Sequence, residues 1–196
     1  MPDFNIEKEI GGIIGGIDEA GRGPLAGPVV AACIILDKNN YPCDINDSKK
    51  LNAKKRERIF KNLITTQIYG IGIVDNIKID EINILNATKL AMKLAYEKLQ
   101  EKFGKKIDHI IVDGNFIPQI KCPASPIIKG DTKSLSIAAA SIIAKETRDQ
   151  IMFNLAEEFP QYGWEGNKGY PTAAHFTAIK EFGATKYHRQ SFKLIK

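Results

Sequence analysis

The segment Ile17-Asp18-Glu19-Ala20-Gly21-Arg22-Gly23-Pro24 most narrows what this chain can become. Two adjacent carboxylates end an apolar run, and a basic, glycine-rich turn follows at once. A phosphodiester is itself an anion, so acids beside a phosphate-friendly turn make chemical sense only with a divalent cation between them and the ligand. Gly21 and Gly23 carry no Cβ and let backbone N–H groups come close, while Arg22 adds a planar fork suited to phosphate. The same residues fit a loose dinucleotide-binding pattern, Gly21-x-Gly23-x-x-Ala26. That pattern requires a helix directly after the turn, whereas Pro24 and Pro28 here lead into the β-rich run of residues 29–36. Two acids at the strand end would also repel a pyrophosphate.

At 196 residues with 43% hydrophobic composition, the chain suits one globular domain over residues 1–196 with a substantial core and a basic C-terminal segment from about residue 160. Its net charge is +5, and the last 36 residues hold six cations (Lys168, Lys180, Lys186, Arg189, Lys193, Lys196) against Glu165 and Glu181. A modest excess of this kind usually marks a solvated face; it agrees with a nucleic-acid partner without requiring one. Cys33, Cys43 and Cys122 are odd in number and form no CxxC pair, which indicates free thiols in a reducing compartment. No secretory leader and no membrane-length apolar run is present, so a cytoplasmic protein without membrane contact is expected.

Hydrophobic period places strands at residues 12–18, 29–36 and 67–74, then shorter ones at 107–113 and 127–129. Asn52 can cap a helix burying Ile59, Phe60, Leu63 and Ile64, whose Lys54, Lys55, Arg56 and Arg58 read as a solvated face. A longer helix is expected to carry Ile82, Leu85, Met92, Ala95, Leu99 and Phe103 on one stripe, with Gly104 as its stop. A helix over residues 134–159 has the small segment Ala138-Ala139-Ala140-Ser141 for close packing, and a short helix follows over 173–182. Strands first adjacent and later separated by helices indicate an α/β fold with a mixed sheet.

Asp18, Glu19, Asp113 and Asp131 fall at strand ends or in the loop before a helix, where open α/β sheets place their sites. Neighbouring strand residues point to opposite faces, so Asp18 and Glu19 would share a site only if the chain bends directly after Asp18, a bend the glycine turn is expected to supply. Grouped anions call for hard cations with oxygen ligands, Mg²⁺ or Mn²⁺. Asp131 reads equally as a helix cap, Asp113 as a turn residue before Gly114, and Glu19 as a surface acid. Ser48 and Lys49 precede a helix, and either bind a backbone phosphate or form a helix entry beside a solvated Lys. His109, His175 and His188 give no catalytic signal, His109 falling at a strand start.

Those acids lie within an ordered series of motifs. Asp18-Glu19-Ala20-Gly21-Arg22-Gly23, Asp47-Ser48-Lys49-Lys50-Leu51, residues 82–92, Val112-Asp113-Gly114, Lys129-Gly130-Asp131, residues 138–145, Gly169-Tyr170-Pro171-Thr172 and His188-Arg189-Gln190-Ser191-Phe192 resemble, in order and over nearly the whole chain, bacterial ribonuclease HII. The resemblance implies the ribonuclease H fold, a five-stranded mixed sheet flanked by helices, with Asp18, Glu19, Asp113 and Asp131 as metal-binding catalytic acids. It implies an endoribonuclease acting on RNA–DNA hybrids and on single ribonucleotides in duplex DNA. Gly21, Arg22 and Gly23 would read the ribose 2′-OH, and Tyr170 would stack on the next sugar. The hydroxyl is what distinguishes RNA from DNA at one nucleotide. Tyr170 alone also reads as a packed core tyrosine. Gln190 replaces a second Arg common in the family, which bears on phosphate contacts from the tail.

The expected chemistry is two-metal hydrolysis 5′ to the ribonucleotide, giving a 3′-hydroxyl and a 5′-phosphate, by a monomer needing no His base. Rival readings are a junction-resolving nuclease of the same fold, which leaves the Gly-Arg-Gly turn unexplained, and a non-catalytic hybrid-binding module, which gains nothing from clustered acids.

Overall fold

A computed structural model describes residues 1–194; Lys196, one of the six tail cations, lies outside them. In chain order the elements are α1 (Asn5–Ile10), β1 (Ile14–Ala20), β2 (Val29–Ile35), α2 (Ala53–Thr66), β3 (Ile68–Val74), α3 (Asn76–Phe103), β4 (His109–Asp113), β5 (Ala124–Ile127), α4 (Leu135–Glu158), α5 (Trp164–Asn167) and α6 (Ala173–Phe182). The strands make the expected five-stranded mixed sheet, ordered β3-β2-β1-β4-β5. β1 and β3 flank β2 antiparallel, while β4 runs parallel to both β1 and β5.

Alternation along β2 divides the core between the two faces of the sheet. Ala32 and Ile34 meet the small and branched residues of α4 and the apolar stripe of α2, whereas Val29, Ala31 and Cys33 meet Ala87, Ala91, Met92, Ala95 and Leu99 of α3. The Ala138–Ala140 segment lets α4 lie close on the sheet. Closeness reaches its limit at Gly16, where a Cβ would collide with the Ser136 backbone. The start of α4 is therefore held against β1, two residues before Asp18.

Three elements differ from the sequence reading. The last strand is Ala124–Ile127 instead of residues 127–129: β5 lies at the sheet edge, where Pro126 is tolerated without an N–H, and Lys129 has turned into the left-handed region with φ 56°. The long helix starts earlier, at Asn76, because Asp75 accepts from Lys78 N at 2.8 Å as an N-cap. It then breaks at Asn83, with φ 65°, whose side chain accepts from Asn86 N at 3.1 Å and restarts the helix. Finally, α1 forms in the charged N-terminal stretch, with Glu7 buried and accepting from Ser134 Oγ at 2.6 Å.

Gly104 ends α3 in the left-handed conformation, as expected. The segment after α4 packs back on that helix through Leu25, Ala26, Met152, Ala156, Tyr162, Trp164, Ala178 and Ile179, and Ala26 bridges to His188. This contact brings the C-terminal residues under the turn that follows β1.

Candidate nuclease active site

Parallel pairing sets Ile17 opposite Val112, so the next residues, Asp18 and Asp113, stand side by side where β4 ends, two residues before the end of β1. Asp18 is buried; its Oδ1 accepts from Glu19 N at 2.7 Å and it takes a hydrogen bond from Ser141. Ser141 lies 2.9 Å from Ser48 Oγ. With the one Ser141 proton given to Asp18, Ser48 is the donor in that contact. Burial first, then the charges of Glu19 and Asp113, push the Asp18 carboxyl well above its ordinary range.

Burial also raises Glu19, against the pull of Arg22 at 3.3 Å and with a push from Asp113. Asp113 is raised by burial and by Asp131, although Gly130 N donates to its Oδ1 at 2.6 Å. Asp131 is itself buried and pairs with Lys49 Nζ at 3.3 Å. Glu19 Oε2 is buried with no hydrogen-bond partner. An orphaned carboxylate oxygen among three acids resistant to ionisation, with only oxygen donors at hand, fits a hard divalent cation. Among the described residues no three His, Cys, Asp or Glu side chains are gathered into a ready-made cage. The acids are grouped by their shared cleft and their mutual charge.

That cleft, of about 350 Å³, is lined by Asp18, Glu19, Gly21, Arg22, Gly23, Ser48, Lys49, Asp113, Ser141, Lys145 and Tyr170. Asp131 stands behind it, linked through Lys49. The bend expected directly after Asp18 does not occur, because β1 keeps register with β2 as far as Ala20 opposite Val30. Asp18 and Glu19 leave opposite faces of the strand, and the cleft opens across its end. Nor does Asp131 cap α4. Ser134 does, accepting from Ile137 N at 3.1 Å, while Asp131 sits in the preceding 3₁₀ turn. Tyr170 is 42% exposed, not a core residue; a Cβ on Gly23 would lie 3.7 Å from its ring. Ser48 is buried with its hydroxyl spent on Ser141, and Lys49 is largely exposed.

The family model of ribonuclease HII matches residues 15–195. The chain belongs to the ribonuclease HII family. It is 50% identical over 196 residues to a ribonuclease HII of Zymomonas mobilis, covering 100% of this chain and 91% of that protein. Among solved structures it resembles the ribonuclease H2 of Pyrococcus horikoshii, with 28% identity, TM-score 0.71, and 92% and 94% of the two chains covered. A Bst ribonuclease HIII in complex with Mn²⁺ shares the fold at 20% identity and TM-score 0.81, over 99% of this chain and 71% of that one. The expected family, fold and enzyme class, a ribonuclease, thus stand.

In this ribonuclease HII family member the cleft also takes in Ser141, expected from sequence only as a small packing residue, and Lys145, which was given no place in the site. With Arg148 they fall at i, i+4 and i+7, on one face of α4. Sequence alone masks this face, because residues 145–150 are polar without a break. Arg189, counted among the surface cations of the tail, is completely buried. His175 and His188 are buried too and form one network. His175 Nδ1 faces the Tyr170 carbonyl at 2.9 Å and so carries the proton; its Nε2 accepts from Trp164 Nε1 at 3.0 Å. His188 Nδ1 accepts from Thr185 N at 2.9 Å, which leaves its Nε2–H to donate to His175 Nε2 at 3.1 Å. Burial lowers the pKa of both imidazoles, that of His188 to about 4.

Proposed function

We propose that this chain hydrolyses the RNA strand of RNA–DNA hybrids and nicks duplex DNA on the 5′ side of a single embedded ribonucleotide, leaving a 3′-hydroxyl and a 5′-phosphate. Asp18, Glu19, Asp113 and Asp131 would hold two divalent ions, Mg²⁺ or Mn²⁺. Bound there, such ions neutralise phosphate charge and lower the pKa of an attacking water. The observation that carries the reading is the set of three mutually repelling carboxyls with an orphaned Glu19 oxygen beside a glycine turn.

The remaining residues fall into roles set by their chemistry. The backbone of Gly21, Arg22 and Gly23 would meet the ribose 2′-OH, the one group absent from DNA. Tyr170, exposed at the cleft wall, offers its ring to the neighbouring sugar. Lys49 and Lys145 supply positive charge for phosphates without sequence preference, while Ser48, through Ser141, orients Asp18. No His reaches the cleft, so water is not activated by an imidazole. The enzyme is proposed to act as a monomer, its cleft lined by residues of a single chain. Among the described residues no helix is long and apolar enough to cross a membrane, and the free Cys33, Cys43 and Cys122 suit a reducing cytoplasm.

The test is cleavage of a DNA duplex containing one ribonucleotide, beside its all-deoxy counterpart, with and without Mg²⁺ or Mn²⁺. Cleavage of the ribonucleotide duplex alone, and only with the ion, is expected. Equal cleavage of both duplexes would overturn the reading.

A further inference from the structure

Two guanidiniums, those of Arg148 and Arg189, are buried behind the Gly21–Gly23 turn, and among the described residues neither has a carboxylate within ion-pair distance. Burying a cation without a counter-ion is expensive, so what these two hold is informative. Arg189 donates only to backbone carbonyls: Nη2 to Gly21 O at 2.6 Å, Nη1 to Arg22 O at 3.1 Å, and the fork further to Gly27 O and Pro28 O. Arg148 donates to Ala26 O at 3.0 Å, Pro28 O at 2.9 Å and Lys168 O at 2.9 Å. Its guanidinium carbon also lies 5.9 Å from the centre of the Tyr170 ring.

Peptide planarity turns these contacts into an aim. In a trans peptide the C=O and the following N–H point to opposite sides. A fork that draws the Gly21 and Arg22 carbonyls inward therefore turns the Arg22 and Gly23 N–H groups outward, toward the cleft those residues line. The hydrogen bonds of the turn are accepted by its carbonyls, and among the described residues the Arg22 and Gly23 N–H groups donate none. A cation on each carbonyl also polarises its amide and strengthens the N–H as a donor. Gly21, at φ 97°, leaves the room this requires, since a Cβ there would run into the Arg148 guanidinium.

Resting on the function proposed above, we propose that Arg189, backed by Arg148, is a positioning residue for ribose recognition, holding two backbone N–H donors of the 21–23 turn toward the 2′-OH. Lys keeps the charge but not the fork, so Arg189→Lys and Arg148→Lys are the variants to make. Expected for Arg189→Lys is at least about a tenfold loss of kcat/KM on the single-ribonucleotide duplex, as for other lost site hydrogen bonds, with all-DNA duplex binding near wild type and a thermal midpoint lowered by the carbonyls left without the fork. Arg148→Lys should lose less. In the Arg189→Ala variant, added guanidinium ion should restore part of the activity.

Unchanged ribonucleotide cleavage in Arg189→Lys overturns the inference, as does a loss matched by equal loss of DNA binding. If neither Lys variant folds, the wild-type enzyme decides. The Arg22 and Gly23 amide resonances and the Arg189 Nε–H should shift together with the ribonucleotide duplex and not with the deoxy one; absence of that shift overturns the inference. Wild-type indifference to the 2′-OH in cleavage would instead overturn the proposed function itself.

Discussion

The acids at the strand ends and the cations behind the adjoining turn meet the same difficulty, charge out of water, in opposite ways. Asp18, Glu19 and Asp113 are packed against one another, and one Glu19 oxygen has no partner. Arg148 and Arg189, with the neutral pair His175 and His188, have their donors met by carbonyls and ring nitrogens. The first region keeps an unmet acceptor, which the proposed cations would take up. The second is saturated and can only hold still. Chemistry and geometry are thus separated within a few residues of one another, one region on β1 and β4, the other on α4 and the C-terminal segment.

The sharpest way to break this contrast is to remove one of the competing acids. Asp18→Asn and Asp113→Asn should each reduce cleavage by about 10³-fold or more, the scale of a lost electrostatic contact in an active site, while binding of the ribonucleotide duplex stays equal or tightens because a repelling anion has gone. Single-turnover cleavage and equilibrium binding on the same duplex give the two readings. If binding collapses together with cleavage, the acids are structural and the contrast is false.

Metal supplies the next test, and it can be read without activity. Mg²⁺ or Mn²⁺ should raise the wild-type thermal midpoint, since an ion bound only by the folded state adds about 2.7 kcal/mol at a hundredfold excess over its Kd. The Asp18→Asn variant should gain much less. Chelation should stop cleavage, with Mn²⁺ or Mg²⁺ restoring it and Zn²⁺ failing, because the donors are all oxygens. A midpoint unmoved by any divalent ion would sink the cation site.

The saturated region has its own signature in pH. His188 falls to about 4 in the folded protein and His175 is lowered as well, whereas an unfolded His titrates near 6.5. Between those values the unfolded chain binds the extra proton, so the contribution of this pair to stability is whole above about pH 6.5 and declines as pH falls toward 4, by up to about 1.4 kcal/mol per pH unit for each proton, opposite in sign to the contribution of the raised acids of the cleft. The groups around the pair are Tyr162, Trp164 and Thr185, none of which ionises in that window. His188→Gln, lacking a titrating ring, should flatten the decline in a pH series of denaturant melts. An unchanged slope would place the acid sensitivity elsewhere.

How far the sequence could be read follows the same division. Asp18, Glu19 and Asp113 were legible because each ends a short apolar run, and strand ends are where α/β sheets gather their sites. The helix stripe of α2 was legible from its period, the close packing of α4 from its small Ala138–Ala140 segment, and Asn52 and Gly104 from their capping chemistry. Arg189 was not. A single Arg in a basic tail has no period, and only the packing of the C-terminal segment on α4 shows it to be internal. The break at Asn83 was hidden for a related reason: apolar spacing runs on through it, and nothing local announces a left-handed Asn. Pro126 misplaced β5 because its tolerance depends on the strand being at the edge, a property of topology and not of the segment.

Asp131 gives the smallest effect expected, and the most discriminating. From sequence it served equally as a cap or as a metal ligand, and the cap is now Ser134. Asp131 instead pairs with a well-exposed Lys49 at 3.3 Å. Such a pair is worth only about 0–1 kcal/mol, so Asp131→Asn should leave the thermal midpoint almost where it is. As a ligand, Asn is poorer than Asp for a hard cation, and cleavage should fall by about tenfold, a milder loss than at Asp18, with a higher Mg²⁺ concentration needed for half-maximal rate. Lys49→Ala is the companion: it removes the same ion pair but leaves the carboxylate, and should keep the metal dependence of the wild type. If Asp131→Asn matches Lys49→Ala in both rate and metal requirement, Asp131 matters only as the partner of Lys49 and the site holds three acids. If the two variants part in metal requirement alone, Asp131 belongs with the unsatisfied acids of the cleft.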